Sequence, residues 1–235
     1  MLSVVCWRWK PPSGYRSTFS PDTVRVLRNM VKRHYPSPHR FIVVTDDTVG
    51  IDADIEIVPA WNDFADLPSP TGGHNPSCYR RLRMFAPDIE AVFGPRFVSL
   101  DLDIVFTNDL TSLWNRSEDF VIWGDTNPRT FYNGSMVLMT AGARSQVWTS
   151  FDPVESPKAA KKAGHFGSDQ GWISHCLGPK ECKWTQADGV YSFHNHLQKS
   201  NRLPSDARAV IFHGASDPWQ RRVQQQHPWI AQHYQ

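Results

Sequence analysis

The segment Phe97–Phe106 reads FVSLDLDIVF, an apolar run that ends in two carboxylates, Asp101 and Asp103, with Leu102 between them. In an extended chain, residues i and i+2 point to the same side. Carboxylates placed that way repel each other unless a cation neutralises them. Hard oxygen donors suit Mg2+ or Mn2+, which commonly bridge to phosphate oxygens. Near the C-terminus, AVIFHGASDPW (209–219) delivers His213 at the end of another apolar run. Gly214 follows it, and the missing side chain permits close approach of backbone to a ligand. An imidazole added to the carboxylates favours Mn2+ over Mg2+.

Three further groups carry chemistry. Arg80, Arg81 and Arg83 stand together in YRRLRMF (79–85). The spacing predicts a short helix with Arg80 and Arg83 on one face, offering planar bidentate donors to phosphate or sugar oxygens. Asn133-Gly134-Ser135 combines an amide and a hydroxyl with no bulk at the centre, as does a turn with Gly at positive φ. Asp169-Gln170 follows Ser168, so the same letters read as a helix N-terminus with a hydroxyl cap and an acid in the first turn.

These groups need a frame. Ser3–Trp7, Phe41–Thr45, Ile55–Val58, Phe97–Leu100, Phe120–Trp123, Ser135–Met139 and Ala209–Phe212 read as strands. Ser20-Pro21-Asp22 starts a helix whose apolar positions Val24, Leu27 and Val31 recur at helical spacing before Pro36. Asp169–Cys176 reads as a second helix. Strand, helix, strand in that order predicts a parallel crossover unit. Residues 61–77, rich in Pro, Gly, Asn and Ser, read as a long loop of the kind that closes over sites. The expected architecture is a mixed, mostly parallel α/β sheet flanked by helices in one Rossmann-like domain over 1–235.

Composition sets the outer bounds. The 235 residues are 40% hydrophobic and 20% charged, which excludes a disordered, collagenous or coiled-coil chain. Lys+Arg 25 against Asp+Glu 23 leaves a net charge of +2, too weak to indicate nucleic-acid binding by itself. No apolar run has the length of a membrane span. The four cysteines form no CxxC pair, so no zinc site or disulfide framework is expected, and a cytoplasmic setting is the simpler expectation.

Taken in order, WRWK (7–10) with Tyr15, RFIVVTDD (40–47), YRRLRMF (79–85), SLDLDIVF (99–106), NGSMVLM (133–139), SDQGW (168–172) and FHGASDPW (212–219) resemble the small bacterial and phage glycosyltransferases of the GT-A fold. These are related in plan to glycosyltransferase family 8, the glycogenin-like enzymes. The resemblance implies a nucleotide-diphosphate sugar as donor, with a UDP-sugar favoured, and Mn2+ or Mg2+ on its diphosphate. It implies Asp101, Asp103 and His213 as metal ligands, and Thr45 and Asp46 as part of the base-reading segment. Arg80, Arg83, Leu102, Asn133, Gly134, Ser135 and Gly214 are implied as donor contacts, and Asp169 and Gln170 as the catalytic pair of a hexosyltransferase, with retention favoured and inversion, in which a carboxylate here is the general base, left open. The acceptor is a hydroxyl left open among a saccharide, a protein side chain, a small metabolite and a hydroxymethylated base in phage DNA.

Two positions depart from the family. Asp217 stands where relatives commonly carry Lys, and Tyr191-Ser192-Phe193-His194 falls where they often show Ser-Tyr-Lys. Two other classes compete with transfer. DLDIV also resembles the haloacid dehalogenase phosphatases, in which the first Asp is the nucleophile. A non-catalytic module that binds a nucleotide sugar is the other.

Overall fold

The computed structural model describes residues 1–10, 13, 19–70, 72, 77–124 and 129–235. Tyr15 and part of the 61–77 loop lie outside the described residues. Ten strands are present among them: β1 Leu2–Arg8, β2 His39–Thr45, β3 Glu56–Pro59, β4 Arg96–Leu100, β5 Ile104–Phe106, β6 Phe120–Gly124, β7 Tyr132–Thr140, β8 Cys182–Trp184, β9 Val190–Ser192 and β10 Ala209–Ile211. The α-helices are α1 Pro21–His34, α2 Glu90–Phe93, α3 Thr111–Trp114, α4 Gln146–Thr149, α5 Glu155–Lys162, α6 Asp169–Leu177, α7 Arg221–Gln226 and α8 Pro228–His233.

Seven strands form one sheet in the order β3-β2-β1-β4-β7-β6-β8. β3, β2, β1 and β4 run parallel, β7 is antiparallel to β4 and β6, and β8 runs parallel to β6. A parallel sheet must be covered on both faces, and the side-chain alternation of β1 shows that it is. Val4 and Cys6 enter one apolar cluster, with Val24, Leu27 and Val31 of α1. Val5 and Trp7 enter the other, with Leu82, Phe85 and Ile173. β2 divides in the same way, with Phe41 and Val43 to one side and Ile42 and Val44 to the other. A smaller sheet, β5-β10-β9, lies against α1 and α8.

The parallel ladder aligns strand ends. Arg8 is opposite Thr45, and Cys6 is opposite Leu100, so β1, β2 and β4 finish along one edge. β7 arrives from the other direction, with Met136 opposite Leu100. Its first residues therefore stand at the same edge, where open α/β sheets place ligands.

Two local expectations are replaced. Residues Tyr79–Phe85 form a 3-10 helix. Three residues per turn divide the side chains into rows: Tyr79, Leu82 and Phe85 enter the core, Arg81 and Met84 also turn inward, and Arg80 and Arg83 remain partly exposed. Ser168 precedes α6 but makes no capping bond. Its Oγ instead accepts the Cys78 N–H at 3.1 Å, which fastens the 3-10 helix to the start of α6.

Candidate active site

Asp101 is the first residue beyond β4, and its N–H donates to the Ser135 carbonyl at 2.9 Å. This bond fixes the acidic doublet against the first residues of β7. Ser135 Oγ lies 2.7 Å from Asp101 Oδ2 and 2.7 Å from Asn133 Oδ1. The Asn133 oxygen also accepts the Ser135 N–H at 2.9 Å. Asn133 and Ser135 thus point to the same side as Asp101.

The Arg81 guanidinium occupies the centre. Its Nη1 donates to Asp101 Oδ1, while Nε and Nη2 donate to Asp169 Oδ2 at 3.0 and 2.7 Å. Arg81 is 4% exposed and Asp169 2%. Burial disfavours charge on Arg81, but Asp101 and Asp169 more than offset it and hold the guanidinium protonated. Burial likewise pushes the Asp169 carboxyl above its ordinary range, against the pull of Arg81. Gly134 is what this packing requires. A Cβ there would lie 2.9 Å from Asp169 Oδ2 and 3.0 Å from Arg81 Nη2. The residue lies inside β7 without a positive φ, so close approach rather than a turn explains the glycine.

Asp103 is placed by a different ladder. Its carbonyl accepts the Phe212 N–H at 2.9 Å, continuing the antiparallel β5-β10 pairing in which Ile104 faces Ile211. That register carries His213 to the same end as the doublet. Burial, and then the charges of Asp101 and Asp217, hold the Asp103 carboxyl well above the usual carboxylate range. Burial together with His194 and His196 keeps His213 below the ordinary imidazole range, hence neutral. His213 Nε2 lies 2.7 Å from Ser192 Oγ, and the His194 ring is 5.5 Å from it, centre to centre. Among the described residues, no three His, Cys, Asp or Glu side chains converge at metal-holding spacing. The donor chemistry nonetheless fits a hard cation, because a carboxyl crowded by two others is a group that a divalent ion relieves.

The remaining expected residues have separate surroundings. Thr45 ends β2, is buried, and its Oγ1 accepts the Asp47 N–H at 3.1 Å. Asp46 accepts from Arg80 Nη1 at 3.1 Å, and Arg80 also donates to the Trp61 carbonyl. Arg83 turns elsewhere, to Asp88 at 2.6 Å and to the faces of Trp61 and Trp148. Leu102 is buried in the core, which leaves only its backbone to meet a ligand. Gly214 has φ 81° and open space around its Cα, so backbone conformation explains it. The Gln170 amide folds against Gly167 and reaches the Phe166 carbonyl at 3.4 Å.

Sequence reasoning missed three residues here. Arg81 lies on the other side of the helix from the Arg80 and Arg83 face. Arg8 donates to the Asp47 and Phe19 carbonyls at 2.7 and 2.8 Å, so it shapes the loop after β2. Asp217, 2% exposed, accepts from Gln220 Nε2 at 3.0 Å and adds charge beside Asp103. Only Arg81 carried a signal: an Arg in the inward row of a helix that is otherwise apolar on that side.

No protein-family model matches the chain, and no curated sequence does. Solved structures do. The galactosyltransferase LgtC in complex with donor and acceptor sugar analogs superposes with a TM-score of 0.62 at 14% identity, over 99% of this chain and 96% of that one. An active-site mutant of LgtC gives 0.60 at 14% identity, over 98% and 95%. The glycosyltransferase GlyE of Streptococcus pneumoniae TIGR4 gives 0.62 at 12% identity, over 98% of this chain and 61% of that one. The chain has the fold of the GT-A glycosyltransferases.

Proposed function

We propose that the chain transfers a sugar from a nucleotide-diphosphate sugar, a UDP-sugar by preference, to a hydroxyl acceptor. The observation that carries this reading is the Asp101–Arg81–Asp169 chain of ion pairs beside Asn133 and Ser135 at the ligand-bearing edge of the sheet. The neighbours' activities, galactosyl transfer by LgtC and glycosyl transfer by GlyE, support it.

Breaking the bond to a nucleotide diphosphate places negative charge on the leaving oxygen and positive charge on the sugar ring. Asp101, Asp103 and His213 would hold Mn2+ or Mg2+, which supplies Lewis-acid stabilisation of the leaving diphosphate. Thr45 and Asp46, joined to Arg80, receive the nucleotide end. Asn133 and Ser135 offer an amide and a hydroxyl to sugar hydroxyls. Arg81 opposes the effect of burial on Asp169 and holds its carboxyl fixed and dry. A carboxylate held twice by one guanidinium and 2% exposed is a poor general base for an acceptor hydroxyl. That disfavours inversion and supports transfer with retention, with the Gln170 amide beside the reacting carbon.

A melting screen tests the reading. UDP, GDP and CDP are each added with Mn2+, with Mg2+ and with EDTA. UDP with Mn2+ at about 100 times its Kd should stabilise by ~2.7 kcal/mol, a rise of roughly 5–11 °C for a chain of this size. No shift with any nucleoside diphosphate, or release of phosphate from an aryl phosphate, would end it.

A further inference from the structure

Phe166 is the one exposed phenylalanine among the described residues, at 47%. It belongs to the loop between α5 and α6, three residues before Asp169. Its backbone is not slack. The Thr130 hydroxyl, itself 2% exposed, accepts the Phe166 N–H at 3.0 Å and donates to the Phe166 carbonyl at 3.3 Å. His165 Nδ1 lies 3.2 Å from the Arg129 carbonyl, and its ring packs edge-to-face on Phe131 at 5.1 Å. Beneath, Gly171 permits the close packing, since a Cβ there would lie 3.1 Å from the Phe166 carbonyl. The ring is therefore presented to solvent by a pinned loop, with the Arg129 guanidinium 6.0 Å from its centre.

Its location gives the presentation meaning. Along the ligand-bearing edge the strands run β2, β1, β4, β7. The segment Arg129–Phe131 leads into β7, three strand spacings or about 14 Å from Thr45. Asp101, directly after β4, lies between, and Asp169 stands against Gly134 of β7. Thr45 and the segment that pins Phe166 are thus separated by Asp101 in the strand order, and the Gln170 amide rests on the Phe166 carbonyl.

We infer that Phe166 and Arg129 form the acceptor platform, and that the acceptor presented there is a saccharide ring. This inference rests on the transfer reading above. A sugar offers an apolar C–H face to an aromatic ring, and the Arg129 guanidinium flanks that ring. A single ring on a chain with a net charge of +2 does not suit a polyanionic strand.

The test follows the Phe ring NMR signals of 13C-phenylalanine-labelled protein, with UDP and Mn2+ present, as methyl glycosides of galactose, glucose and N-acetylglucosamine are added. The Phe166 signal, assigned by its loss in Phe166→Leu, should shift saturably at millimolar glycoside. In Phe166→Leu, monitored by ligand-observed saturation transfer, the glycoside Kd should rise about fivefold or more, while Phe166→Tyr stays within about twofold. Equal glycoside binding by the parent and Phe166→Leu overturns the platform. So does an unmoved Phe166 signal in protein that UDP and Mn2+ do stabilise. A Phe166 signal that moves with oligodeoxythymidine and not with glycosides overturns the saccharide assignment. Glycoside binding at Phe166 in protein that no nucleoside diphosphate stabilises would keep the platform and refute the transfer reading.

Discussion

Replacing Gly134 with Ala probes the arrangement at the centre of the site with one methyl group. The backbone at 134 tolerates a side chain, so the effect comes from space alone. The added Cβ would meet Asp169 Oδ2 at 2.9 Å and Arg81 Nη2 at 3.0 Å, both closer than ordinary van der Waals contact. The two groups cannot swing away freely, because each is buried and they are bonded to each other at 2.7 Å. Overpacking of this kind costs about 1–3 kcal/mol. Removing a strand glycine returns about 0.5–1 kcal/mol, so the net loss is roughly 0–2.5 kcal/mol. Urea denaturation at pH 7.5 reads it directly. The decisive measurement is a double-mutant cycle with Asp169→Ala, which removes the nearer clash and frees the guanidinium. In that background Gly134→Ala should be close to neutral, giving an interaction energy of about 1 kcal/mol or more. Additivity within about 0.5 kcal/mol would refute the claim that Gly134 exists to admit the ion pair.

Arg81→Ala leaves Asp101 and Asp169 buried without their shared cation and should cost about 3–5 kcal/mol. Arg83→Ala, which loses a partner on the exposed Asp88, should cost about 1 kcal/mol or less; urea curves of equal midpoint for the two would reverse the ranking. Asp103 holds its proton above the ordinary carboxylate range, so the folded chain binds a proton that the unfolded chain has already released. Stability should therefore fall as pH rises from about 4 through that window, and Asp103→Asn in EDTA should flatten the decline. The imidazoles of His34, His213, His227 and His233 are all held low, by burial first. The unfolded chain then binds more protons than the folded one as pH drops below 6.5, and the denaturation midpoint should drop with it. Burial raises the Cys78 thiol to about 12 and the Cys176 thiol to about 11. Iodoacetamide at pH 8 should modify them in urea and leave them largely unmodified in native protein; rapid labelling of the native chain would contradict that burial.

Local pattern determined the frame. Apolar runs such as Phe41–Thr45 and Phe97–Leu100 became strands because a central strand of a parallel sheet is covered on both faces and buries consecutive side chains. The Pro21 start and the Val24, Leu27, Val31 stripe fixed α1. Residues that end strands, such as Thr45, Asp101 and His213, were legible for the same reason: a polar group directly after a buried run stands at the edge of the sheet. Other choices belonged to the tertiary structure. That the buried arginine of YRRLRMF has acids to pair with depends on where Asp101 and Asp169 stand, one directly after β4 and the other at the start of α6. The demand for Gly at 134 arises 35 residues from Asp169 in sequence, where no local spacing expresses it. Ser168 looks like a cap, but Cys78, 90 residues away, claims its hydroxyl. Local apolar runs decide roughly where strands form, while their ends, and the short strands β5, β8 and β9, are set by ladder partners far away in the chain. Ion pairs and close approaches join residues far apart in the chain, and only the folded sheet brings them within reach.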